Sequence, residues 1–137
     1  MIRLSKENYL KILSHAKAGL PNEACGLLGG TEDGGVRDIG EVYLLTNTDE
    51  SNEHFSMDPR EQLAAVKDMR GKGLKPLGNW HSHPESPSRP SEEDVRLAYD
   101  PTASYMIISL ESSEVPNLNS FRIRDGKYEW EIIEIYD

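Results

Sequence analysis

Hydrophobic residues recur at helical spacing near the start of the chain, where they predict the first helix. The pattern begins after Ser5, a residue that can cap a helix, and it stops before Pro21, which ends one. The stripe comprises Tyr9, Leu13, Ala16 and Leu20. We therefore expect a helix through about Leu20 with this stripe against the core.

The next segments show patterns that are typical of strands. Residues 23–30 combine apolar and small side chains and predict a buried strand, and residues 31–35 predict a turn. Residues 36–46 predict a longer strand, whereas residues 47–55 are polar and predict a loop.

A second helix has a clear starting signal. Asp58 can cap it, Pro59 suits the first helical position, and Glu61 stands three residues after the cap. The pattern places Leu63, Val66 and Met69 on the inward face. The glycines at 71 and 73 predict its end.

The second half of the chain continues with a strand at 74–80, a proline-rich loop at 84–90 and a short helix from Ser91 to Tyr99. The apolar run 104–110 predicts a central strand. Two alternating segments then flank an Asp-Gly hairpin turn: Phe121 and Ile123 precede it, and Tyr128, Trp130 and Ile132 follow on one face. This order predicts an α/β (α+β) fold, a mixed sheet packed by helices.

Composition narrows the class of protein. The 137 residues, 36% hydrophobic and 28% charged, predict one globular domain over residues 1–137. A formal net charge of −9 argues against nucleic-acid binding, and no apolar run approaches the length of a membrane span. The N-terminus turns polar at once, so no signal peptide is expected. The single cysteine excludes an internal disulfide and favours a cytoplasmic protein.

The strongest chemical signal is the pattern His-x-His-x7-Ser-x2-Asp, formed by His81, His83, Ser91 and Asp94. Two imidazoles and one carboxylate are the ligands of a catalytic zinc ion, which keeps a fourth position for water. Alternatively, the histidines are ordinary residues of a half-buried strand, and Ser91 with Asp94 is only a helix cap. The His-Glu-x-x-His motif and the Cys-x-x-Cys pair of nucleoside deaminases are absent.

These residues resemble a known family. The run 80–84 (WHSHP) and the Ser91-x-x-Asp94 spacing are similar to the JAMM (MPN+) zinc metalloprotease family, and residues 21–28 (PNEACGLL) resemble its upstream segment. The resemblance implies the MPN/JAB fold, a curved mixed, largely antiparallel sheet flanked by helices and related to cytidine deaminases. It implies one Zn²⁺ ion on His81, His83 and Asp94, with Glu23 as general base.

In such a site, zinc would lower the pKa of a water molecule, and Glu23 would move its proton to the leaving amine. Without the resemblance, Glu23 could equally be a surface carboxylate at the start of a strand. Ser91 could donate to an oxyanion, cap the helix, or do both.

Other polar candidates are weaker. We expect Cys25 to be inert packing in an apolar strand, His15 to be solvated, and His54 to lie in a loop away from the site. Trp80 is expected in the core. Asn79 and the loop 85–89 are plausible rims of the substrate site.

The resemblance also implies the substrate class. Relatives hydrolyse a peptide or isopeptide bond after the C-terminal Gly-Gly of ubiquitin-like or sulfur-carrier proteins. Only 43 residues follow Asp94, with no histidine or cysteine among them, so a second zinc site is not expected. Two alternatives remain: a non-catalytic MPN scaffold, and a zinc hydrolase of a small amide or nucleoside. The oligomeric state stays open.

Overall fold

The computed structural model describes residues 1–112 and 114–137, which form one mixed sheet of eight strands and three helices. The helices are α1 (Lys6–Gly19), α2 (Pro59–Gly71) and α3 (Glu92–Arg96). The strands are β1 (Ile2–Ser5), β2 (Cys25–Asp33), β3 (Val36–Leu45), β4 (Lys75–His83), β5 (Ser104–Ser109), β6 (Asn117–Arg124), β7 (Lys127–Glu131) and β8 (Ile133–Tyr136). Their order in the sheet is β7-β6-β5-β4-β2-β3-β1-β8.

The sheet is strongly curved, as its two edges show. Strands β7 and β8 form the opposite edges, yet only Ile132 separates them along the chain. The edges must therefore approach each other, and the backbone N–H of Ile2 donates to the Ile132 carbonyl at 2.7 Å. Antiparallel pairs join β2 to β3 and β4, and β6 to β5 and β7, whereas β1–β3, β1–β8 and β4–β5 are parallel. The predicted curved, mixed fold class is confirmed.

Strand β5 divides the core into two layers because its side chains alternate between the faces of the sheet. Met106 and Ile108 pack on one face with Trp80, Ile12 and Ala16 of the α1 side. On the other face, a second cluster contains Tyr105 and Ile107 with Val95 beside it. The β4–β5 register pairs His81 with Ile107, so the histidines face the α3 side.

The first helix begins as predicted, with the Ser5 hydroxyl accepting from the backbone N–H of Asn8. Its buried side chains are Asn8, Ile12 and Ala16, while Tyr9 and Leu13 are only partly buried. The prediction for Leu20 was wrong, because its side chain is 46% exposed. Leu20 is the C-cap with extended backbone, so it does not continue the helical stripe.

The second helix also starts at its predicted cap, where Asp58 accepts from the N–H of Arg60. The helix turns Ala65 and Met69 into the core, whereas Leu63 is 56% exposed, contrary to prediction. Glu61 does not close a capping box. Its carboxylate accepts from the backbone N–H and hydroxyl of Thr46 instead, at 2.7 and 2.9 Å.

Several elements differ from the sequence analysis. Strand β4 continues past Trp80 to His83, because β5 pairs with it over its full second half. Helix α3 ends at Arg96 rather than Tyr99. Strands β1 and β8 were not predicted, and they pair with each other at the far edge of the sheet. Within the described ranges, no helix is long and apolar enough to cross a bilayer.

Trp80 is fully buried, as predicted, and its indole N–H donates to the Tyr43 carbonyl at 3.1 Å. The indole lies across Gly26, where an added Cβ would stand 2.2 Å from the indole nitrogen and 1.8 Å from the Tyr43 oxygen. Only glycine fits here, because one of these neighbours is backbone.

Replacing Gly26 by alanine should therefore lower the free energy of unfolding by about 2 kcal/mol, a typical overpacking cost. Chemical denaturation measures it. Gly71→Ala is the matched control, since an added Cβ there meets nothing within 4 Å and alanine favours helix. Equal stability of the Gly26→Ala and wild-type proteins would contradict the packing described here.

Candidate metal centre

Three ligand atoms meet at the end of β4. Nε2 of His81 lies 3.1 Å from Nε2 of His83, and the two nitrogens lie 3.2 and 3.0 Å from Oδ2 of Asp94. The side chains are 4%, 5% and 14% exposed. The structure thus brings the three predicted metal ligands into one cluster.

The cluster fits a metal ion better than it fits a set of hydrogen bonds. A ring N–H points in one direction in the imidazole plane and cannot serve two partners well. Ligand atoms about 2.0–2.1 Å from a tetrahedral zinc ion lie about 3.3 Å apart, close to the separations here. The donor set of two nitrogens and one carboxylate oxygen suits zinc and leaves a fourth position open.

Strand β4 places the two histidines. Side chains two residues apart on a strand share a face, and β2 and β5 hold the backbone of β4 on both sides. The ring of Phe55 stacks on His81 with 4.7 Å between centroids. The orientation of His81 is therefore fixed by packing on one face of its ring.

The start of α3 places Asp94. The Ser91 hydroxyl accepts from the backbone N–H of Asp94 at 3.0 Å, and Oδ2 of Asp94 accepts from the Ser91 N–H at 2.9 Å. This capping box uses the same carboxylate oxygen that faces the histidines. The sequence left the helix cap and the metal ligand as alternatives, but the same carboxylate of Asp94 can serve as both.

A backbone carbonyl orients His83. Its Nδ1–H donates to the Pro87 carbonyl at 2.8 Å, which leaves the Nε2 lone pair for a cation. Sequence analysis missed this contact, since no side-chain pattern marks a carbonyl in a proline-rich loop. It likewise missed Phe55.

Hydrogen bonds between this loop and the sheet hold the loop in place. The buried Ser88 hydroxyl donates to the Ile107 carbonyl at 2.7 Å, and Ser109 donates to the Ser86 carbonyl at 2.6 Å. Asn119 adds a third bond, to the Ser88 carbonyl at 3.2 Å. The Pro87 carbonyl therefore stands on a fixed segment.

Burial and hydrogen bonding shift the pKa values of Asp94 and His83 in opposite directions. Burial alone raises the pKa of Asp94, but hydrogen bonds from His81 and His83 outweigh it and hold that pKa well below its usual range. Burial opposes protonation of His83, yet Asp94 and the Pro87 carbonyl together raise its pKa. A cation bound here would compete with a proton on His83.

Glu23 lies beside this cluster and is 6% exposed. The pairing of β2 with β4 sets Cys25 opposite His81. Beyond it, two hydrogen bonds join Ala24 to Ser82, so the next residues along the two strands, Glu23 and His83, lie near each other. Burial raises the pKa of Glu23 to about 8. Among the residues described, its Oε1 has no hydrogen-bond partner. The alternative of a surface carboxylate is therefore wrong.

The prediction for Cys25 agrees with the structure, whereas the prediction for His15 does not. Cys25 is fully buried, and burial raises its thiol pKa to about 12, as expected of inert packing. His15 was expected to be solvated, but it is half-buried, with Nε2 2.9 Å from the Leu45 carbonyl and its ring edge-on to Trp80.

His54 lies nearer to the site than its loop position predicted. Its Nδ1 is 2.7 Å from the carboxylate of Glu93, next to the ligand Asp94, and that hydrogen bond raises the pKa of His54. Sequence distance concealed this contact, because the loop before α2 folds back onto α3.

Comparison with known proteins places the chain in a family. The profile described as "Prokaryotic homologs of the JAB domain" matches residues 5–124. That match spans both the Glu23 segment and the His81–Asp94 motif.

Two curated relatives and one solved structure are similar to this chain. The CysO-cysteine peptidase of Mycobacterium tuberculosis (strain H37Rv) is 32% identical over 127 residues, covering 92% of this chain and 85% of that protein. The desampylase of Haloferax volcanii is 34% identical over 103 residues, covering 72% and 73%. The solution structure of DSY2949 from Desulfitobacterium hafniense is 55% identical and superposes with a TM-score of 0.93, covering 100% and 94%.

Replacing Asp94 by asparagine should separate its two contacts. The amide oxygen can still accept from Ser91, so α3 keeps its cap, but the metal loses a charged ligand. We expect zinc affinity to fall by more than about 100-fold, and the thermal midpoint of the metal-free protein to fall as well, because the ionised carboxylate that accepts from His81 and His83 is lost. Zinc titration against a chromophoric chelator measures this. Unchanged affinity would exclude Asp94 as a ligand.

Replacing Ser88 by alanine should weaken zinc binding about 10-fold, because the Pro87 carbonyl that orients His83 would lose its support. The same titration measures it. Ser86→Ala is the matched control, since that side chain is exposed and only its carbonyl is used. If both variants bind zinc equally well, the loop does not position the ligand.

Proposed function

The chain belongs to the JAB/MPN family, and we propose on that premise that it is a zinc-dependent peptidase or isopeptidase. Its proposed substrate is a ubiquitin-like or sulfur-carrier protein, cleaved after the C-terminal Gly-Gly. The observation that carries the proposal is the convergence of His81, His83 and Asp94 beside the buried carboxylate of Glu23, whose Oε1 has no hydrogen-bond partner among the described residues.

The zinc ion would be held by His81, His83 and Asp94. The donor types of their ligand atoms, and the separations between those atoms, suit zinc. When bound, zinc supplies Lewis acidity, which makes a water molecule acidic near neutral pH and polarises a carbonyl. The Pro87 carbonyl keeps His83 in the tautomer that a cation requires.

Glu23 would carry the proton. A general base works best when its pKa lies near the working pH, and burial moves the Glu23 carboxyl into that range. Its Oε1 is free to accept a proton from the attacking water and to pass that proton to the leaving amine. The position beside His83 supports this role.

Ser91 would stabilise the oxyanion. Its oxygen accepts from the Asp94 N–H, which leaves the hydroxyl proton available to a developing negative charge. Ser91 lies on the solvent-facing side of the cluster, where a substrate carbonyl can approach. The cap contact would fix the direction in which the hydroxyl points.

The relatives support the substrate class by name. One is named for cleaving cysteine from CysO, and another of the same family is named a desampylase. The proposed Gly-Gly specificity rests on the geometry of an extended tail without side chains, which can pass close to the metal ligands. The alternative of a non-catalytic scaffold is not favoured, because Glu23 and the three ligands are all in place.

A second candidate function has one supporting observation. A cavity of about 370 Å³, lined by both apolar and polar side chains, adjoins His81 and Asp94, and its size is that of a small-molecule site. A zinc hydrolase of small amides would use the same ligands and the same base.

One experiment separates the two functions. The zinc-loaded protein is incubated with ubiquitin-fold carriers extended by one or more residues beyond Gly-Gly, and intact-mass analysis follows the products, with a chelator-treated sample as control. Cleavage after the second glycine supports the proposal. Hydrolysis of small amides alone would favour the second candidate.

Glu23→Gln should retain zinc and lose turnover. The amide keeps the size of the side chain but cannot take a proton, so we expect the rate to fall by about 10²–10⁴-fold. Stopped assays on the cleaved carrier and zinc analysis of the same sample measure both properties. A fully active variant would remove Glu23 from the mechanism.

A further inference from the structure

The two sides of the metal centre differ in polarity. On one side lies the cavity beside His81 and Asp94, whose walls carry seven apolar or aromatic side chains together with Glu53 and Glu93: Phe55, Met57, Leu97, Tyr99, Tyr105, Ile107 and Ile123. On the other side lies an open groove lined by polar side chains, which shares Glu53 and Glu93 with the cavity and adds Glu85, Glu92 and Arg96. A substrate that crosses the centre must therefore place unlike segments on the two sides.

Polarity separates the two segments of the substrate. Hydrolysis of an amide releases an amine that becomes a cation, and a cation keeps its solvation better in the polar groove than against the apolar walls of the cavity. The acyl segment, which precedes the cleaved bond, is then left with the cavity.

Asn79 contributes an amide to the wall of this cavity. It stands two residues before His81 on β4, so the two side chains share a face, and it lines the cavity while half-buried. In the part of the chain that the structure describes, its side-chain amide makes no hydrogen bond to the protein. A half-buried amide without such a bond is stabilised when a partner arrives.

We propose that Asn79 is a positioning residue that hydrogen-bonds to the backbone of the acyl segment, a role that rests on the proposed function. Two residues along a strand span about 6.6 Å. An extended chain whose cleaved carbonyl lies at the metal ligands therefore brings the third residue before the cleaved bond to Asn79. With Gly-Gly in the first two positions, that residue is the one preceding the glycine pair.

The test uses two synthetic peptides of different length. Acetyl-Ala-Leu-Ala-Gly-Gly-Ala-amide reaches Asn79 in this geometry, whereas Gly-Gly-Ala-amide with a free N-terminus ends before it. Wild-type protein, Asn79→Leu and the control Asn117→Leu are loaded with zinc, and kcat and KM are measured for each peptide. Asn117→Leu makes the same exchange at an exposed position of β6 outside the cavity.

We expect Asn79→Leu to raise KM for the long peptide about 5–10-fold, with kcat and zinc content little changed. The short peptide should be cleaved alike by all three proteins, and Asn117→Leu should match wild type on both peptides. A structural defect would instead lower activity on both peptides together.

Two results would overturn the inference. If Asn79→Leu changes both peptides equally, or neither, Asn79 does not contact the acyl segment, while the proposed function stands on the wild-type rates. If the wild-type protein cleaves neither peptide and no carrier extended beyond Gly-Gly, the proposed function fails and the inference fails with it.

Discussion

The site depends on three lone pairs being aimed at one point. Nitrogen and oxygen atoms of His81, His83 and Asp94 stand 3.0–3.2 Å apart inside the protein, a separation that protons satisfy poorly and a small cation satisfies well. Two kinds of local structure produce the convergence: a strand whose alternate side chains share a face, and a helix cap. The sheet joins them, because β5 supports both the strand and the loop to α3.

Because one oxygen of Asp94 serves the cap and the cluster, the start of α3 and the metal centre are a single structural unit. The loop before α3 is fixed in turn by hydroxyls of Ser88 and Ser109, which bond to backbone carbonyls rather than to side chains. Its Pro87 carbonyl then selects the tautomer of His83. The three side chains are thus oriented jointly by β4, β5 and the loop.

Local patterns in the sequence predicted that His81, His83 and Asp94 come together, because strand period and capping chemistry act over a few residues. They failed where long-range packing decides. Leu63 belongs to a helical stripe but lies outside, since α2 rests on the sheet through Ala65 and Met69. Strands β1 and β8 escaped prediction because parallel pairing between chain ends has no local signal. The stacking of Phe55 on His81 depends on how a long loop folds back.

Zinc K-edge X-ray absorption on the zinc-loaded protein tests the central claim most directly. The structure predicts a first shell of about four nitrogen and oxygen atoms at about 2.0 Å, with outer-shell scattering from two imidazoles and no sulfur. In His83→Ala loaded with zinc, the imidazole scattering should fall by half. A sulfur contribution near about 2.3 Å, or a spectrum without imidazole scattering, would contradict the assignment of His81, His83 and Asp94 as the ligands.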